Sequence, residues 1–188
     1  MQWLLFVMIV GCAALRNGAG PADAVRQYLT ARTRAEAVAR MAPEYRLWFA
    51  ERRGEGTDRA AAAEMLQWDF ALHASHRIDS LTAEGNVVTA IVHEDNDFSR
   101  FLGYPGWDST STFIVNGDGR ITEQLYVPKP GQPDWRSYLD AALPWIRAHR
   151  ADALPTIYPD GKLARSAEAA RLWAEVLREW RAAGVGER

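Results

Sequence analysis

The sequence predicts an α+β domain in which helices come first, an antiparallel sheet follows, and further helices close the chain. Three observations predict it. Apolar residues such as Val25, Tyr28 and Leu29 recur at helical spacing early in the chain. Between residues 78 and 127, short β-type runs are separated by Glu84-Gly85-Asn86 and Asn116-Gly117-Asp118-Gly119, both turn signals. From Asp134 onward the helical spacing returns. The chain has 188 residues and is 48% hydrophobic, which suffices for one domain with a real core and an extension. Residues 1–20 read as a signal and tether, 21–130 as the α+β domain and 131–188 as a helical extension.

Each element has a local cause. Pro21 suits the first position of a helix, where its missing N–H does no harm. Thr33 and Glu36 form a capping-box pattern, so a second helix starts at Arg34 and ends before Pro43. Residues 45–49 form a short apolar strand, and the polar 51–57 stretch with its glycines is a loop. Asp58 caps a third helix that runs to about Ala74. Strands are expected over 78–83, 87–94, 107–115 and 120–127, with a helical turn at 98–102 closed by Gly103. Asp134 caps a helix over 135–143, which Pro144 must kink or end. Ser166 caps the last helix, with Leu172, Trp173, Val176, Leu177 and Trp180 on one face.

The N-terminus reads as an export signal. Residues 3–10 (WLLFVMIV) are unbroken apolar sequence, too short for a membrane span, which needs roughly 20 residues. They lead into Ile9-Val10-Gly11-Cys12, which resembles the lipobox of bacterial lipoproteins. That resemblance implies lipidation at Cys12 and membrane attachment outside the cytoplasm. Met1-Gln2 lacks the usual basic residue, so a plain secretory signal or a misassigned start stays open, and the latter leaves the protein cytoplasmic. Cys12 is the only cysteine, so no intramolecular disulfide can form. Arginine in place of lysine and the run of four alanines from Ala60 suit a GC-rich bacterial genome. The net charge is -2 and no segment concentrates basic residues, so a nucleic-acid partner is not expected.

Candidate chemistry lies where polar groups interrupt apolar faces. With Met65 set at zero on the third helix, Asp69 falls at about 40° and His73 at about 80°, inside the apolar face. Four residues apart, they are neighbours on one surface. One reading is a pocket-facing acid–base pair; the other is a carboxylate held by backbone N–H groups beside a satisfied core histidine. In the second constellation, His93-Glu94-Asp95-Asn96-Asp97, strand alternation requires either His93 or Glu94 to continue an inward face. Its spacing matches no zinc signature, so no metal is expected there. Tyr126 is a candidate donor at a pocket mouth or a sheet aromatic with its hydroxyl in water. Eight tryptophans suggest apolar lining, and Trp48, Trp68, His93 and Trp107 are the candidate ligand contacts. No nucleophile elbow, phosphate loop or dinucleotide fingerprint is present, and no cofactor is expected.

Three pieces carry a family resemblance: the helix ending in Trp68-Asp69, the stretch Asn96-Asp97-Phe98-Ser99-Arg100-Phe101-Leu102-Gly103 before a Trp-containing strand, and the Asn116-Gly117-Asp118-Gly119 hairpin leading to Leu125-Tyr126-Val127. Together they resemble the SnoaL-like branch of the nuclear transport factor 2-like superfamily. The resemblance implies a cone, in which a curved antiparallel sheet wraps a deep pocket against the N-terminal helices, with the C-terminal helices as an addition. It also implies a homodimer by analogy. It carries over a pocket and no catalytic motif. Two functions are therefore expected: binding of a small apolar or amphipathic ligand, or cofactor-free acid–base catalysis (isomerase, dehydratase or cyclase) with Asp69, His73 and Tyr126.

Overall fold

A computed structural model describes residues 20–184, so the signal-like segment and Cys12 lie outside the described residues. The chain opens with α1 (Pro21–Leu29) and α2 (Arg34–Arg40), then β1 (Met41–Phe49), β2 (Thr57–Asp58) and α3 (Arg59–Ala71). The meander follows as β3 (Ser75–Glu84), β4 (Val87–Asp95), a short α4 (Asp97–Leu102), β5 (Trp107–Val115) and β6 (Ile121–Pro128). The C-terminal part holds α5 (Trp135–His149), α6 (Leu154–Ile157), a 3-10 turn (Pro159–Gly161) and α7 (Ala167–Ala182).

The helix starts are set by side chains. Thr33, Asp58, Asn96 and Ser166 each accept from a backbone N–H in the first turn of α2, α3, α4 and α7. Gly103 ends α4 at φ 73°, a left-handed conformation that suits glycine. Asp134 caps α5, which runs through Pro144 instead of ending there. The carbonyl that Pro144 leaves without a donor belongs to exposed Asp140, where water can satisfy it.

One sheet of six strands has the order β2-β1-β6-β5-β4-β3. All its pairs are antiparallel except β1 with β6. Register shifts interrupt β1/β6, β3/β4 and β5/β6, and such bulges bend a sheet. They also explain how β1 begins four residues earlier than its apolar run. Met41 pairs with Ile121 and Arg46 with Glu123, so Pro43 sits in the shifted stretch where no ladder N–H is required.

Two apolar clusters result. In the first, Val25 of α1, Tyr45 and Met41 of β1, and Val88, Phe113 and Ile121 of the sheet are buried together. In the second, Trp68 and Leu72 from the end of α3 and Phe98 of α4 meet Leu139, Ile146, Trp173 and Leu177 of the C-terminal helices. The face foreseen on α7 is the buried one: Trp173, Val176, Leu177 and Trp180 are each at most 2% exposed. The C-terminal helices thus share a core with the end of the cone. No described helix is long and apolar enough to cross a membrane.

Candidate functional site

A cavity of about 610 Å³ lies between the two clusters, bordered by the concave face of the sheet, α1, α3 and the connections before α5 and before α7. Most of its wall is apolar or aromatic, with Met65, Leu66, Trp68, Phe70, Trp107 and Trp135 among the residues facing it. The volume is that of a small-molecule site.

Polar groups gather on three sides. Asp69 reaches the cavity from α3, two residues before the helix ends. On the sheet, His76 of β3 sits directly opposite Glu94 of β4, so both side chains rise from the same face. The His76 Nδ1–H donates to the carbonyl of Leu29 at 3.0 Å, leaving Nε2 3.6 Å from a Glu94 oxygen. On the third side, Tyr28 of α1 and Tyr45 of β1 both donate to the Oε1 of Gln124 on β6, at 3.2 and 2.7 Å.

These surroundings displace the titrations. Burial, reinforced by the negative charge of Glu94 and opposed by His76 and Arg165, pushes the Asp69 carboxyl from 3.8 to about 7. Burial works against a charged His76, but its hydrogen bond and attraction to Glu94, with Asp69 and the Leu29 carbonyl behind, raise its pKa. Burial pushes the Tyr28 and Tyr126 hydroxyls up to about 12, so both stay protonated donors at neutral pH. The site therefore holds a carboxyl that keeps its proton well above the usual carboxylate range, beside an imidazole whose charged form Glu94 stabilises.

The expected residues divide. Asp69, Tyr126, Trp68 and Trp107 line the cavity. His73 does not, and the expected Asp69–His73 pair does not form. The third helix stops at Ala71, and His73 adopts φ 51°. Its N–H bonds the Phe70 carbonyl while that of Ala74 bonds the Asp69 carbonyl, which is a Schellman closure with histidine in the usual glycine place. The chain turns there, and the His73 ring leaves the helix face to bond Asp97 at 2.6 Å with its side chain 78% exposed. His93 lies on the outer face of β4, bonded through Nδ1 to Asp108 at 2.8 Å, so Glu94 is the inward residue of that pair. Trp48 also lies outside the cavity, against Arg52 and Gly56.

Glu94, one of the two inward alternatives offered by strand alternation, completes the site with His76, Tyr28 and Gln124, which were not singled out by sequence as site residues. The signal for His76 was present: alternation extended back from Ile78 puts it on the inward face. His73→Ala is expected to leave ligand retention in the cavity unchanged and to cost about 1 kcal/mol of stability, from the left-handed backbone and the lost, exposed Asp97 pair. Thermal denaturation and native mass spectrometry of the variant check this; a lost ligand would return His73 to the site.

No protein-family model matches the chain, and no curated protein does. Several solved structures of low identity are similar to part of the chain. An NTF2-like protein of unknown function from Cytophaga hutchinsonii is 13% identical, over 62% of this chain and 96% of that one, with a TM-score of 0.48. A protein of unknown function with a cystatin-like fold from Methylobium petroleophilum is 15% identical, over 61% and 78%, with a TM-score of 0.49. A computationally designed 17-OHP binder is 17% identical, over 57% and 91%, with a TM-score of 0.45. Helices first, then a bent sheet with a parallel β1–β6 pair around a cavity: the chain has a cone-like α+β architecture.

Proposed function

We propose that the protein binds a small, largely apolar molecule in this cavity and exchanges a proton with it at Asp69, as a cofactor-free acid–base enzyme of the isomerase, dehydratase or cyclase kind. One observation carries the reading. Asp69 opens into an apolar cavity and makes no hydrogen bond or close ion pair with the described residues. A carboxyl so placed costs stability unless something uses it. A group that titrates near the working pH is also the most effective proton carrier.

Glu94 and His76 have a supporting part in this scheme. The Glu94 charge helps hold the Asp69 proton on, and His76 beside it compensates the negative charge when Asp69 ionises. His76 Nε2 faces Glu94, with Nδ1 fixed on Leu29, so its ring is oriented for that task. The aromatic lining supplies the affinity, and the ligand needs no charge to enter.

Plain ligand binding is the second reading, favoured by the extent of tryptophan in the wall. One experiment separates the two. Native mass spectrometry of the full chain purified gently from source cells is expected to show a retained small molecule. Incubated with the protein in heavy water, that molecule should gain carbon-bound deuterium with the wild type and not with Asp69→Asn. Retention without exchange in either protein would leave binding alone. An empty cavity under all purification conditions would count against both.

A further inference from the structure

The polar side of the cavity opposite the carboxyls has a feature that acid–base chemistry at Asp69 does not require. Gln124 is 9% exposed, on the inward face of β6, and it lines the cavity. Its Oε1 is occupied twice, by the hydroxyls of Tyr28 and Tyr45. Those two tyrosines come from different elements, α1 and β1, and Tyr45 is fully buried. An amide oxygen has two lone pairs, so the pair of hydroxyls saturates it and fixes which end of the amide faces them.

The other end is then determined. Gln124 Nε2 has no hydrogen-bond partner among the described residues, yet it is not among the buried side-chain atoms sealed in protein without a partner, which are Arg59 Nε and Trp180 Nε1. It is therefore open to the cavity, with its N–H groups directed away from the tyrosines. Rotating the amide would turn both hydroxyls into acceptors and leave each of their own protons to find another partner, so this orientation is the one that satisfies both hydroxyls and the amide oxygen. Both tyrosines stay protonated across the neutral range, so the lock does not loosen there.

We infer that Gln124 is the specificity-determining donor of the cavity, and that the molecule it selects carries a carbonyl oxygen that accepts a hydrogen bond from Gln124 Nε2. This rests on the cavity being a ligand site, as proposed above, and deepens it by naming the ligand's functional group: an apolar ketone, aldehyde, ester or lactone in place of a hydrocarbon, alkylamine or simple alkyl halide. A ligand without an acceptor would leave the Nε2 donor desolvated and unmet, which is how a buried polar group discriminates.

The test uses the full-length protein and two fluorescent probes of matched body. Prodan is a dimethylamino naphthyl ketone whose emission moves to the red when its carbonyl accepts a hydrogen bond; dimethylaminonaphthalene has the same ring system without the ketone. Gln124→Met removes the donor while keeping the length of the side chain. The expected result is prodan binding weakened roughly fivefold to tenfold, the worth of one hydrogen bond. Its bound emission should move to the blue, and dimethylaminonaphthalene should bind wild type and variant alike. Tyr45→Phe, which loosens the lock and leaves the donor in place, should give a smaller loss for prodan alone. Equal prodan affinity and emission in wild type and Gln124→Met would overturn the assignment. So would an equal loss for both probes, which would report a change of cavity shape. Failure of wild type to bind either probe would overturn the cavity reading together with this one, whereas an absence of deuterium exchange would count against proton transfer and leave the probe result standing.

Discussion

Asp69→Asn is expected to make the protein more stable above neutral pH and to abolish any proton transfer in the cavity. The sign follows from the direction of the shift. The carboxyl ionises at 3.8 ordinarily and at about 7 in the folded chain. Below the lower value it is protonated in both states and costs nothing. As pH rises between the two values only the unfolded chain ionises, so stability falls, and above the upper value the whole penalty is in place. Each pKa unit is worth about 1.4 kcal/mol; discounted because the group faces an open cavity, the penalty comes to ~2 kcal/mol. Asparagine, of the same shape and always neutral, removes it. The variant should therefore melt ~4–8 °C higher than wild type at alkaline pH and at the same temperature in acid, below the range where Asp69 ionises. Turnover should fall ~100-fold or more with the loss of the proton acceptor. Coincident melting curves across the pH range would mean that Asp69 titrates as an ordinary carboxylate, and the proton-transfer proposal would lose its basis.

Trp173→Ala should produce the largest loss of stability. The indole is fully buried, meets Phe98 edge-on at 5.4 Å, and donates through Nε1 to the Ile157 carbonyl at 2.9 Å. Truncation removes the apolar body, opens a void and takes one of two donors from the Ile157 carbonyl, which keeps the Ala164 N–H, for a cost of ~3–5 kcal/mol. For a chain of this length that is a fall in Tm of ~10–15 °C by circular dichroism. Phe98 also faces the cavity, so the same change should weaken ligand retention at temperatures where the protein stays folded. A fall of only ~2 °C would show that the C-terminal helices melt separately from the cone and that the shared core contributes little.

Most of the fold was legible because it is written in local signals. Thr33, Asp58, Asn96 and Ser166 mark helix starts by chemistry that acts within four residues. The strand at Trp107–Val115 and the Asn116 hairpin follow from alternation and turn residues in the same way. The errors arose where a local rule met a bulge or a turn. Projecting α3 as an unbroken helix to Ala74 carried His73 onto the apolar face, but the chain adopts positive φ at that residue and the ring swings outward. Starting the first meander strand at Ile78 cut off His76, which lies on the cavity wall. The choice between His93 and Glu94 needed the register with β5, where Glu94 pairs with Trp107. The Tyr28–Gln124–Tyr45 lock was beyond any local rule, since Gln124 lies 96 and 79 residues along the chain from its two partners.

The parallel pairing of β1 with β6 has a kinetic consequence. Met41 lies beside Ile121 and Phe49 beside Tyr126, so the first long strand waits for nearly the whole meander before it finds its partner. The hairpins β3–β4 and β5–β6 close over short loops and can form early, whereas this junction demands a long, entropically costly closure. Gln124 stands in register with Leu47 at that junction, and Tyr45 belongs to the strand it receives. The cavity is therefore assembled last. Until β1 docks, the nascent chain exposes an unsatisfied strand edge and an apolar concave face, which makes the interval before docking the period of greatest exposure to aggregation.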